Sequence, residues 1–274
     1  MSPFTPQASF QIGSMTFYFY GLLITTGILL GYLLAIKRAR IYGIPVSEIE
    51  NLFLLTVPSA IMGARLYHVI ESWEYYSTDL KQIFNVRGGG LAIHGGIFAS
   101  ILVFFIYSRI RKINLLALLD LCAPSLALGQ AIGRWGNFFN QELYGSPTSL
   151  PWKIFIDPVH RIPGYYSSAY YHPTFLYESL LNAGICLGLL FLADKWKKKS
   201  RGRILFFYLI GYGVVRFLME CIRIDEPATI GPLKLAQAVS LLLITAGTLG
   251  IYLVSKQAGR KKPTENSSTP TSTK

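Results

Sequence analysis

Seven stretches of this chain approach the ~20 consecutive apolar residues that a helix needs to cross a lipid bilayer. They fall at about 17–36, 51–70, 92–110, 115–138, 174–193, 204–222 and 234–254. A backbone inside hydrocarbon has no water to bond, so each stretch is expected to satisfy its own N–H and C=O groups as a helix. The chain therefore reads as an all-α membrane protein of about seven transmembrane helices. Its composition agrees, with 51% apolar residues and only 15% charged ones, against about 25% charged in soluble domains.

The net charge of +12 would suit nucleic acid if it were spread over a surface. Here the lysines and arginines form short clusters between apolar runs, so they report topology, and no nucleic-acid partner is expected. Counted on alternate sides of the seven stretches, 17 lie on one side and 6 on the other, with Arg65, Arg134 and Arg216 inside the stretches. The richer side belongs in the cytoplasm. That predicts an N-terminus outside and a C-terminus in the cytoplasm. The first apolar run follows an uncharged arm and precedes KRAR, the reverse of a cleavable signal peptide. Residues 1–256 are expected to form the seven-helix transmembrane domain. The segment 139–173, rich in Pro, Tyr and Trp, is expected to fold as a small extracytoplasmic cap. The polar, low-complexity residues 257–274 are expected to be a disordered cytoplasmic tail. Cys122, Cys186 and Cys221 lie in apolar stretches without CxxC spacing and read as buried small hydrophobes.

An ionisable side chain in a membrane segment is costly, and it marks either function or a bond between helices. This chain has Arg65, His68, His94, Asp120, Arg134, Glu142, Glu178, Arg216 and Glu220 in or beside such segments. In the predicted orientation Tyr20, His94, Arg134, Asn137, Arg216 and Glu220 all fall in the outer half of the bilayer, where one cavity could collect them. Arg216 and Glu220 are spaced i, i+4 and share a helix face with Tyr212. Guanidinium groups keep their charge in apolar surroundings and grip phosphate with two parallel hydrogen bonds. Arginines at headgroup depth therefore suit a phospholipid. The glycines of RGGGLAIHGG could let backbone N–H groups approach a ligand, or could serve close helix packing at Gly95 and Gly96. His94 could act as a general base or as a hydrogen-bonding cap. HExxH, GxSxG and paired His/Cys spacings are absent from the sequence, which leaves metalloprotease and serine-hydrolase chemistry without support, and no metal or cofactor is expected.

The stretch GRWGNFFNQELYG resembles the signature G-R-x-G-N-F-x-N-x-E-x-x-G of the bacterial prolipoprotein diacylglyceryl transferase family. Gly133, Arg134, Gly136, Asn137, Phe138, Asn140, Glu142 and Gly145 match it. FYGLL around Tyr20, GARLYHV around Arg65, IHGG around His94, HPTFLYE around His172 and YGVVRFLMECIR around Arg216 follow in the family's order. The resemblance implies an enzyme of the bacterial cell membrane, spanning it several times. It implies transfer of the diacylglyceryl group of phosphatidylglycerol to the lipobox cysteine of a prolipoprotein signal peptide, the first step of lipoprotein maturation. It further implies His94 as base or proton shuttle, with Arg134 and Arg216 as phosphate ligands. Tyr20, Arg65, Asn137, Asn140, Glu142, Gly145, Tyr212 and Glu220 would bind substrate. Phe175 stands where the family commonly has glutamine, which removes a polar contact there. A lipid transporter or flippase is the rival reading, and a scaffold whose polar residues only join helices is another.

Overall fold

The computed structural model describes residues 4–86, 89–196, 202–225 and 228–260. An antiparallel hairpin of β1 (Ser9–Ile12) and β2 (Met15–Tyr18) leads into α1 (Phe19–Tyr42). Then come α2 (Val46–Glu71), the single turn α3 (Trp73–Tyr76), a 3-10 segment over Leu80–Phe84, α4 (Ile93–Ile110) and α5 (Leu115–Asn140). The strand pair β3 (Ile154–Phe155) and β4 (Tyr170–Tyr171) lies in the 139–173 segment. It is followed by α6 (Thr174–Trp196), α7 (Arg203–Ile222), the hairpin β5 (Thr229–Ile230) and β6 (Leu233–Lys234), and α8 (Leu235–Arg260). Seven of these helices are long and apolar enough to cross a membrane.

Helix boundaries shift from the sequence expectation for a physical reason. Apolar windows locate the span that sits in hydrocarbon, whereas the hydrogen-bond ladder runs on into the polar flanks. So α1 continues through Lys37, Arg38 and Arg40 to Tyr42, where Gly43 in the left-handed conformation ends it. At the other end residues 17 and 18, expected to be helical, pair with Ser9 and Phe10 in the hairpin. The last helix runs to Arg260, and residues 261–274 of the expected tail lie outside the described residues.

The helices carry much of their apolar surface outward: Leu54, Met62, Phe98, Leu187, Phe191 and Leu242 are all at least 66% exposed. Lipid is the solvent such a surface needs. Without a hydrophobic drive between helices, close contact depends on small residues. A Cβ on Gly95 would overlap the Gly63 carbonyl, and one on Gly63 would overlap Ala99, so α2 and α4 meet backbone to backbone. Of the two readings of the glycines at 95 and 96, helix packing is the one realised.

Two apolar clusters fill the bundle away from the 139–173 segment. One gathers Ala35, Ala39, Leu52, Tyr107, Leu118 and Leu121 between α1, α2, α4 and α5. The other gathers Ala123, Ala127, Cys186, Leu189, Ile204 and Tyr208 between α5, α6 and α7. The Asp120 carboxylate, fully buried, accepts hydrogen bonds from the Gly202 and Leu205 N–H groups at 2.7 and 2.9 Å. It thereby caps the start of α7 from a neighbouring helix, a structural use of an ionisable residue. Cys186 is buried as expected, but Cys221 is exposed on the outward face of α7.

The 139–173 segment is compact, with a small core of Tyr144, Ile156 and Tyr171. The Tyr144 hydroxyl accepts from Ile162 N–H and donates to the His160 carbonyl, both at 2.8 Å, and Tyr171 donates to Tyr165. Burial pushes both phenols above their ordinary pKa. This segment marks one end of the bundle, the cap end. By alternation α1, α4, α6 and α8 start there, and α2, α5 and α7 end there.

Candidate active site

A cavity of about 620 Å³ runs down the inside of the bundle between α1, α2, α4 and α5. Its walls on α1 extend from Tyr20 to Ala35, about 22 Å at 1.5 Å per residue. Most of the lining is apolar or small, including Ile24, Gly27, Ile28, Phe53 and Phe104. Polar groups gather toward the cap end, where Tyr20, Gln130, Arg134, Asn137 and Tyr212 contribute. The volume lies in the range of small-molecule sites, and the shape combines a polar mouth with a greasy shaft.

The polar end is built by the way α5 stops. Gln141 takes the left-handed conformation (φ 52°), and the Glu142 N–H bonds back to the Asn137 carbonyl at 3.0 Å. This turn folds the Glu142 carboxylate over the last helical turn, where it accepts from the Asn137 and Asn140 amides at 2.9 and 3.3 Å. With its amide N–H engaged, Asn137 presents its Oδ1 to Arg134 Nη1, at 3.4 Å. Arg134 Nη2 contacts Glu178 Oε2 at 2.6 Å. The three residues Asn137, Asn140 and Glu142 thus form a brace around the arginine. Gly136 is part of the same construction, because a Cβ there would overlap the Tyr20 ring.

A second pair lies on α7. Arg216 Nη2 contacts Glu220 Oε2 at 2.7 Å along one helix face, with the carboxylate fully buried. Arg216 itself is not in the cavity wall, but Tyr212, one turn earlier on the same face, is, and it stacks on Tyr208 at 5.9 Å. The Nη1 of Arg216 is buried and has no hydrogen-bond partner. A buried guanidinium N–H without an acceptor is costly, and both Glu220 carboxylate oxygens likewise lack a hydrogen bond, so charge contact alone holds the pair.

Three predicted site residues have other surroundings. Arg65, buried on α2, donates to the carbonyls of Ile83 (2.9 Å), Gly89 (2.7 Å), Gly90 (3.0 Å), Asn85 (3.1 Å) and Gln82, and it lies over the Tyr76 ring. Its donors fasten the loop after α3, so it does not line a phosphate site. The Gly89 and Gly90 carbonyls, both at positive φ, face a cation instead of their N–H groups cradling an anion. His94 is exposed in the first turn of α4, with its ring 5.9 Å from that of Tyr67; its neighbour Ile93 lines the cavity, but His94 does not. Gly145 is buried where a Cβ would strike Ile222, His172 and Thr174, so it acts by close packing of the cap on α6 and α7.

Two further residues join these pairs. Glu178, a carboxylate in an apolar helix and one of the three near enough by sequence to neutralise the membrane arginines, is the partner of Arg134. Lys234 sits at the start of an apolar run and reads as a topology charge, but its Nζ lies 3.7 Å from Glu220 Oε1. Phe175, in place of glutamine, packs on Trp135 (5.3 Å) and Phe138 (4.7 Å), so an aromatic contact fills the place of a polar one.

Seven membrane-length helices, two arginine–carboxylate pairs whose carboxylates are buried, and a long, mostly apolar cavity define a multi-pass membrane protein. Residues 7–253 match the family model described as prolipoprotein diacylglyceryl transferase. A relative from Acaryochloris marina, named phosphatidylglycerol–prolipoprotein diacylglyceryl transferase, is 46% identical over 250 residues, covering 90% of this chain and 91% of its own length. Relatives of the same name from Thermosynechococcus vestitus (41% identical; 97% of this chain, 98% of the relative) and Finegoldia magna (44%; 89% and 93%) are similar. The chain belongs to the prolipoprotein diacylglyceryl transferase family. Its membership is that of a transferase, and it sets aside the flippase alternative.

Proposed function

We propose that the protein moves the diacylglyceryl group of phosphatidylglycerol onto the thiol of the lipobox cysteine in a prolipoprotein signal peptide. The products are a thioether-linked lipid and glycerol phosphate. The enzyme spans the bacterial plasma membrane through residues 1–256, with the 139–173 cap on the extracytoplasmic side. The observation that carries this reading is the bare, buried Nη1 of Arg216, at the end of the bundle where the lipid-shaped cavity becomes polar.

The acyl region of the lipid occupies the apolar shaft, and its phosphate meets Arg134 and Arg216 at the cap end. The cysteine thiol, with an ordinary pKa near 8.5, must lose its proton to become a nucleophile. His94 accepts that proton from the side of α4. The thiolate sulfur then attacks the glycerol carbon that carries the phosphate ester. A C–S bond forms, the C–O bond breaks, and its electrons leave on the phosphate oxygen. Arg134 and Arg216 stabilise this growing charge in a site with little water. One such fixed donor is typically worth about 3–4 kcal/mol in a transition state.

Purified protein, phosphatidylglycerol vesicles and a lipobox peptide provide the test, with the peptide followed by mass spectrometry. A diacylglyceryl increment on the cysteine is the expected result. An unmodified peptide after incubation with demonstrably folded protein rejects the proposal.

A further inference from the structure

Arginine and a carboxylate facing each other without constraint prefer a two-pronged pair, in which both guanidinium N–H edges are consumed. The Arg216–Glu220 pair is one-pronged: Nη2 contacts Oε2, and Nη1 is bare. The other oxygen, Oε1, faces a second cation, Lys234 Nζ, at 3.7 Å. We infer that Lys234 is a positioning residue, which holds Glu220 to a one-pronged contact and so keeps a guanidinium edge of Arg216 free for the lipid phosphate. The inference rests on the proposed function for the identity of that anion.

Lys234 is fixed from several directions. It pairs with Thr229 across the β5–β6 hairpin, and its N–H donates to the Gln237 side chain at 3.2 Å. Its ammonium donates to the carbonyls of Glu220 and Arg223, both at 3.1 Å, in the final turn and cap of α7. A cation belongs at the carbonyl end of a helix. The same ammonium therefore anchors to the backbone of α7 and lies against a carboxylate that α7 carries. The charge count gives a second reason. Arg134 and Glu178 cancel, and so do Arg216 and Glu220. With Lys234 included, the α7 group of three carries one net positive charge toward an anionic ligand.

A double-mutant cycle on phosphatidylglycerol binding tests this, read as the lipid dissociation constant by native mass spectrometry so that an inactive variant still reports. Lys234→Met is expected to weaken binding about 10- to 100-fold, the range for a hydrogen bond to a charged group. In a Glu220→Gln background, where no charged oxygen competes for Nη1, the same substitution is expected to cost less than about threefold. Lys234→Arg should restore most of the binding. An equal loss in both backgrounds overturns the inference, because a lysine that only caps α7 would not sense the charge on Glu220. If the methionine variant does not fold, Lys234→Gln in both backgrounds gives the same decision. A wild-type protein that binds the lipid yet never modifies the peptide would reject the proposed function and leave this inference standing.

Discussion

Two halves of the bundle bury arginine in opposite ways. In the α2–α4 half, Arg65 directs its donors at backbone carbonyls of one loop and leaves none for a ligand. In the half formed by α5, α6 and α7, Arg134 and Arg216 each lean on a carboxylate, and Arg216 holds one nitrogen without a partner. Both solutions keep a cation inside a greasy protein, but only the second leaves bonding capacity unspent. The difference teaches that burial of charge does not by itself mark chemistry. Nor does a bare donor alone, since Arg38 at the far end of the bundle also leaves its Nε without a partner. The proposed chemistry rests on a bare donor at the end where the cavity turns polar.

The most severe test of this contrast is Arg216→Ala. Turnover should fall about 10²- to 10³-fold with the protein still folded in the membrane, measured as peptide lipidation per mole of monodisperse enzyme. Arg134→Ala should behave similarly. Normal rates in either variant would remove that residue from the phosphate site. His94→Asn reaches across the divide, since His94 lies in the half that otherwise does structural work. A loss of about 100-fold at neutral pH is expected for a general base, with rates recovering as pH rises and the thiol ionises unaided. A near-normal rate across pH would confine the chemistry to the α5–α7 half.

Arg65→Met should reverse the pattern. Five carbonyls lose their cation, so a stability loss of about 2–4 kcal/mol is expected, seen as a lower thermal midpoint. The fraction that stays folded should still transfer lipid. Selective loss of turnover in well-folded protein would move Arg65 back among the lipid ligands. The smallest expected effect concerns Asp225, which is paired with Arg223 at 2.8 Å. Burial alone would raise its pKa, but the hydrogen bonds and charge of Arg223, with Lys234 adding, lower it below the ordinary value. A carboxylate with a depressed folded pKa stabilises above its unfolded pKa and loses that contribution as pH falls through the folded one. The thermal midpoint should therefore decline below about pH 4, and Asp225→Asn should make that decline slightly shallower.

The helices were legible because hydrocarbon imposes a single rule on length and polarity, and all seven appear near their expected places. The hairpin at Ser9–Tyr18 was not, because its short strands lie in an uncharged arm with mixed polarity. Arg134 and Arg216 could be picked out by type and depth alone. Arg65 could not be told from them, since the five carbonyls that satisfy it belong to the short 3-10 segment Leu80–Phe84 and the loop after it, which carry no apolar periodicity. The roles of Asn137, Asn140 and Glu142 depended on one left-handed residue, Gln141, whose turn brings the carboxylate back over the helix. Lys234 escaped notice because a lysine beside an apolar run has an ordinary explanation in topology.

Gln141 also sets the order in which parts of the molecule lock together. Its side-chain amide donates to the Pro6 carbonyl at 3.3 Å, while its Oε1 accepts from the Asp157 N–H at 2.8 Å. One side chain is thus the keystone between the first-made arm and the cap. Pro6 leaves the ribosome 135 residues before its partner exists, an interval of roughly 7 to 27 s at ~5–20 residues per second. Throughout that time the arm has to wait while four spans are laid into the bilayer. The arm before α1 is therefore among the later parts to lock, and a nascent protein arrested before Gln141 would still display that arm to any protease on that side of the membrane.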